Sequence, residues 1–275
     1  MKDTYRYISS TFIILCFSVC GSLSGQITPL DNHALALGTS SNPTVLTGVH
    51  GLYANPATIS LSSYRLQGTA SGLNRYSTDI YTFSGAAVYR LDASNHLGLS
   101  LGSYGISGFK ENFATISFSK RIGTSSYLAI QPQISRLDIE GLGQRSVWDI
   151  TLGYYGQISS SLALSFHVEQ IRSFLSSDDR FGQFNLGIGY TLSDITEIYS
   201  TIRYTSDNEI VFNPGLLYKP HDILHLYISV GTSPSTISFG TGIDIAEGTQ
   251  VQLGYQAHPD LGASLGLAIT HAILP

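Results

Sequence analysis

The chain has 275 residues, enough for two small domains or one large β domain, and length alone does not choose between them. Charged residues make up 12% of it, with 17 Tyr, 12 Phe and 28 Gly; soluble domains carry roughly 25% charge, so too little is present to cover an ordinary aqueous surface. A transmembrane β-barrel resolves the mismatch by turning apolar residues to lipid and small polar ones inward. The net charge of −5 gives no basic footprint for nucleic acid.

Residues 1–25 read as a signal peptide: Lys2 and Arg6 are basic, Ile8 to Cys20 is apolar, and Leu23-Ser24-Gly25 is a small-residue exit before Gln26. The apolar run is too short for a membrane helix, which needs about 20 residues. Val19 is a poor fit to a lipoprotein signal ending at Cys20. Both cysteines of the chain, Cys16 and Cys20, fall inside this leader. The exported chain is then expected to have no disulfide and no thiolate nucleophile or metal ligand.

Residues 26–61 lack alternation and form a separate segment. From Ser62 to the C-terminus one pattern repeats: a run of period-two alternation, then a short polar or Gly-containing turn. The clearest run sets Leu162, Leu164, Phe166 and Val168 against Ala163, Ser165, His167 and Glu169. Similar alternation sets Ile116 and Phe118 against Ser117 and Ser119, and Leu265 and Leu267 against Ser264 and Gly266. The polar partner row is small and uncharged, where a soluble sandwich would expose Lys and Glu. Counting runs predicts about 14 strands over 62–275, an even number suited to a bacterial single-chain barrel. The first is expected at 62–71. Aromatics near run ends (Tyr127, Trp148, Tyr154, Tyr190, Tyr204, Tyr218) are candidates for interfacial girdles. Pro132 and Pro214 fall within strands and would interrupt the ladder there.

The segment before the wall contains Ala36-Leu37-Gly38, Gly51-Leu52-Tyr53 and Asn55-Pro56-Ala57. In these residues the chain resembles the FadL-like outer-membrane barrels, which include the fatty-acid transporters and the PorV and PorQ proteins of type IX secretion. The resemblance implies a fourteen-stranded barrel whose lumen is plugged by an N-terminal hatch, here residues 26–61. Physically, Pro56 fixes its own φ, pushes Asn55 to an extended conformation, and leaves the Asn side chain free to bond nearby backbone.

Charges that fall on inward rows, Glu169, Glu197, Arg203 and Asp244, with Asp149 beside them, form a candidate lumenal charge network that holds the plug. His221 and His225 would lie about 13 Å apart on a strand and cannot share a metal there. The Ser176-Ser177-Asp178-Asp179 run reads as a solvated loop. No catalytic constellation is recognisable, so no enzyme activity, cofactor or metal is expected. The leading expectation is an outer-membrane barrel in the PorV/PorQ style, surrounded by lipid and partnering other secretion or envelope proteins in export or surface attachment. The alternative is a FadL-like channel for small hydrophobic molecules.

Overall fold

A computed structural model describes residues 32–171, 182–205 and 209–273. The expected signal peptide, the start of the N-terminal segment and the Ser176–Asp179 run lie outside the described residues. The wall consists of β1 (Leu66–Arg75), β2 (Ile80–Arg90), β3 (Asn95–Ile106), β4 (Phe109–Arg121), β5 (Ser126–Ile139), β6 (Gly143–Gln157), β7 (Leu162–Glu169), β8 (Gln183–Ser193), β9 (Thr196–Thr205), β10 (Ile210–His221), β11 (Leu224–Thr232), β12 (Ser235–Ala246), β13 (Thr249–His258) and β14 (Gly262–Ile273). Each pairs antiparallel with its neighbours in sequence, and β1 closes on β14 from Leu66↔Ile273 to Asn74↔Leu265. The result is a closed barrel of 14 strands, with no lateral edge left to satisfy.

Period-two patterning explains the wall. On β4, Ile116 and Phe118 are exposed while Thr115, Ser117 and Ser119 are buried; on β14, Leu265, Leu267 and Ile269 are exposed while Ser264, Ala268 and Thr270 are buried. The apolar row therefore faces outward and the small polar row faces the lumen, the reverse of a soluble barrel. Of the aromatics expected at the girdles, Trp148, Tyr190 and Tyr218 are exposed, and Tyr154 stacks on Phe166 across β6 and β7 with ring centroids 5.0 Å apart. Tyr127 departs from that expectation. It shares the inward row of Ala129 and packs with Tyr155 at a centroid separation of 6.2 Å.

The first strand begins four residues later than the alternation suggested, at Leu66 rather than 62. Residues up to Leu61 are still helical, and the Ser62 N–H closes that turn on the Ile59 carbonyl. The turn that follows spans 76–79, where Tyr76 and Ser77 hold φ values of 57° and 53°. These left-handed residues give the tight twist that a hairpin needs. β10 runs on to His221, through a register shift after Tyr218.

Candidate functional site: the lumen and its N-terminal segment

Residues 32–61 form α1 (Ala34–Gly38) and two 3₁₀ turns, Gly48–Tyr53 and Pro56–Leu61. The segment binds inward-facing side chains around much of the circumference: Ser71 on β1, Ser119 on β4, Thr201 on β9, Ser229 on β11 and Gln252 on β13. Only a segment lying in the lumen can touch all of these rows. Its helices are too short to be stable alone, so the wall determines its conformation.

Many polar groups of the segment find individual partners on the wall or within the segment. The Ala34 N–H donates to Ser71 Oγ (3.0 Å), and the Val49 N–H donates to Gln67 Oε1 (2.9 Å). Asn42 accepts from the Thr44 N–H (2.9 Å) while its amide donates to Thr201 Oγ1 (2.6 Å). His33 caps α1: its Nδ1 accepts from the Leu35 N–H (3.1 Å), which leaves Nε2 as the proton-bearing nitrogen facing Thr69 Oγ1 (3.0 Å). His50 lies with its ring centroid 4.8 Å from that of His33, and its Nε2 accepts from the Gln252 amide (3.1 Å). Burial pushes His50 down to about 4, and burial with the neighbouring His50 ring holds His33 well below the usual imidazole range. Both rings are therefore neutral near pH 7.

Asn55, Pro56 and Ala57 work as a unit. Asn55 is fully buried and extended (φ −137°, ψ 114°), caps the second 3₁₀ turn by accepting from the Ala57 N–H (3.0 Å), and donates to the Tyr154 carbonyl (2.8 Å). Pro56 occupies the first position of the turn, where its missing N–H costs nothing. Glycine in the wall makes this approach possible: a Cβ at Gly153 would collide with Asn55 Oδ1, and one at Gly254 with the Ala34 carbonyl oxygen.

The charged residues divide between the two ends of the barrel. Glu169 is buried and receives hydrogen bonds from the Asn185 amide (2.9 Å) and from His167 Nε2 (2.8 Å), while Arg203 Nε donates to Asn185 Oδ1 (3.1 Å). Glu169 and Arg203 thus share one chain of contacts through Asn185, a linking residue that sequence reasoning did not single out. Asp149 lines the same narrow cleft as Glu169, above Leu52 and Tyr53. Glu197 stands on β9 six residues from Arg203, about 20 Å along the strand. Asp244 is half-exposed at that second end, where it meets His225 Nε2 (3.6 Å) and the Gln250 amide (2.9 Å). The four predicted charges do not form one cluster.

Both strand prolines sit beside breaks in pairing. Between β4 and β5 the ladder runs to Thr115↔Gln133 and resumes at Phe118↔Ile130, leaving Ile116, Ser117, Gln131 and Pro132 unpaired across that seam. Register is unchanged across the gap, and Ser117 Oγ bonds Gln131 Oε1 (2.7 Å) from the lumenal side. Between β10 and β11, pairing begins only at Gly215↔Ser229, just past Pro214. A proline has no N–H to offer either ladder.

No family model and no curated protein matches the sequence. Solved structures do match by shape. The CymD monoaromatic hydrocarbon channel superposes with a TM-score of 0.67 at 10% identity, over 91% of this chain and 100% of that one. A Pseudomonas aeruginosa FadL homologue gives 0.63 at 11% identity, over 92% and 100%. The Pseudomonas putida toluene transporter TodX gives 0.63 at 12% identity, over 92% and 99%. The likeness is one of fold: this chain is a closed fourteen-stranded antiparallel barrel of the FadL-like architecture.

Proposed function

We propose that the protein is a non-enzymatic channel of the bacterial outer membrane for small hydrophobic molecules, with residues 26–61 as a plug that has to shift for passage. The observation that carries this reading is the fold it shares, over about nine-tenths of its length, with structures described as monoaromatic hydrocarbon channels and toluene transporters. Two features of the chain support it. The plug is held by individually replaceable side-chain hydrogen bonds rather than by a ladder. The wall also has a pairing gap at Pro132, where an apolar solute could leave sideways into lipid without crossing a continuous row of backbone hydrogen bonds. The lumenal charges Glu169, Arg203 and Asp244 bond to neighbouring wall residues, which gives them a structural role in the wall. The export role suggested by the resemblance to PorV and PorQ draws no comparable support.

Uptake of labelled toluene by cells making the protein, against cells without it, tests the proposal. The channel reading expects faster uptake that saturates with concentration. Equal uptake, with export-machinery proteins recovered on the detergent-solubilised barrel, would replace it with the export reading.

A further inference from the structure

The outward face carries an apolar groove of 890 Å³ across β13, β14, β1, β2 and β3. Its floor is made by Ala70, Gly72 and Gly85, and its sides by Phe83, Leu101 and Leu267, the last three all more than half exposed. The low floor continues one rung toward the end of the barrel where β1 begins and β14 ends, where Gly68 pairs with Ala87, before the exposed Leu66 and Tyr89 rise from the same outward rows. About five residues beyond Ala70, roughly 17 Å along β1, stands Arg65. That length matches one leaflet of a hydrocarbon core about 30 Å thick.

Arg65 is exposed and positioned. Its guanidinium lies over the Tyr89 ring at 6.0 Å and donates to the Tyr89 hydroxyl at 3.4 Å, leaving other donors of its fork for a ligand. Arg90 adjoins it, its N–H donating to the Arg65 carbonyl and its Nη1 to the Ser63 carbonyl (2.8 Å). The nearest acid in sequence, Asp92, is committed to its own turn, accepting from the Ser94 and Asn95 N–H groups and the Asn95 amide. Other acids at this end stand at the strand turns, Asp194 between β8 and β9, Asp222 between β10 and β11, and Glu247 between β12 and β13. Arg65 therefore stands as an exposed cation at the rim, about one leaflet from the apolar groove.

We infer that this face holds one anionic phospholipid, its phosphate at Arg65 and one acyl chain along Gly68, Ala87 and Ala70 into the groove. The connections at this end span two to four residues, whereas the opposite end includes the thirteen-residue connection 170–182 between β7 and β8, and short turns face the periplasm in outer-membrane barrels. The lipid thus comes from the inner leaflet. The inference rests on the barrel's residence in a membrane and not on its being a channel, so the toluene experiment can fail without affecting it.

Native mass spectrometry of the barrel, reconstituted in vesicles of equal phosphatidylglycerol and phosphatidylcholine and then extracted into mild detergent, tests it. The wild type should retain one phosphatidylglycerol, preferred by roughly fivefold over phosphatidylcholine. Arg65→Gln should lower that preference about fivefold, whereas Lys120→Gln, on the same rim three strands away, should leave it unchanged. Gly85→Leu should abolish retention of both lipids by filling the floor; its new Cβ meets only the Thr69 carbonyl, at 3.6 Å. Heat-dependent gel mobility establishes that each variant is folded. Equal retention of the two lipids, an unchanged preference in Arg65→Gln, or a lipid-free dimer seated on this face would overturn the inference.

Discussion

The wall and the segment inside it face the same problem, satisfying backbone polar groups away from water, and solve it by different means. Each strand pairs with its neighbours along a regular ladder, so the wall needs only the right alternation and length. The lumenal segment has almost no ladder of its own and borrows Ser71, Gln67, Thr201 and Ser119 from the wall. A structure built by periodic pairing tolerates many single changes on its rows. One held by individual side chains can be released piece by piece while the container stays intact.

Substitutions and acid should separate the two regions. The largest expected effect is on the wall: Ile116→Arg puts a cation on the exposed outward row near the middle of β4, and should cost up to about 4 kcal/mol of barrel stability in urea unfolding from vesicles. Acid should act on the segment instead. His50 has its folded value depressed to about 4, so its contribution is fully present above pH 6.5 and is lost as pH falls from 6.5 towards 4. The loss is about 3 kcal/mol for that ring. Hydrogen exchange of residues 32–61 should then accelerate below pH 6 while the strands stay protected, and His50→Gln should flatten the dependence.

Asn55→Ala is expected to loosen the segment by about 2 kcal/mol, the sum of a lost cap and a stranded Tyr154 carbonyl. Protease nicking before Leu66 would report it, with heat-dependent gel mobility of the wall unchanged. The smallest effect belongs to Pro132→Val, which returns an N–H to the gap between β4 and β5 and should add about 1 kcal/mol to wall stability. If the gap is the lateral exit, the same variant lowers solute uptake.

The wall was legible because its information is local. Ala163, Ser165, His167 and Glu169 announce one face within eight residues, and the structure buries all four. Tyr127 misled because aromatic type does not encode direction: its row, shared with buried Ala129 and Gln131, faces inward. The start of β1 was misplaced because Ser62 and Ser63 resemble strand residues, while the turn ending at Leu61 still holds Ser62.

Inside the lumen, only what is local could be read. Asn55-Pro56-Ala57 signals its own cap and extended entry, and the structure contains both. Its acceptor, the Tyr154 carbonyl, is 99 residues away and has no signature in the motif. His33 and His50 went unnoticed because their partners Thr69 and Gln252 are 36 and 202 residues distant. Glu169, Glu197 and Arg203 share rows with buried neighbours, but parity says nothing of height. Glu169 and Arg203 meet at one end only because β7, β8 and β9 run antiparallel in their particular register.

The most direct test of the account fastens the segment to the wall. Ser40 Oγ and Ser229 Oγ lie 2.8 Å apart, and the chain's two cysteines both precede residue 21, so a Ser40→Cys/Ser229→Cys pair introduces the only cysteines beyond that point and can form a disulfide between segment and wall. Uptake of a labelled monoaromatic hydrocarbon should fall to the level of cells without the barrel when the pair is oxidised, and return on reduction. Undiminished uptake with the cross-link complete would contradict a channel gated by its N-terminal segment.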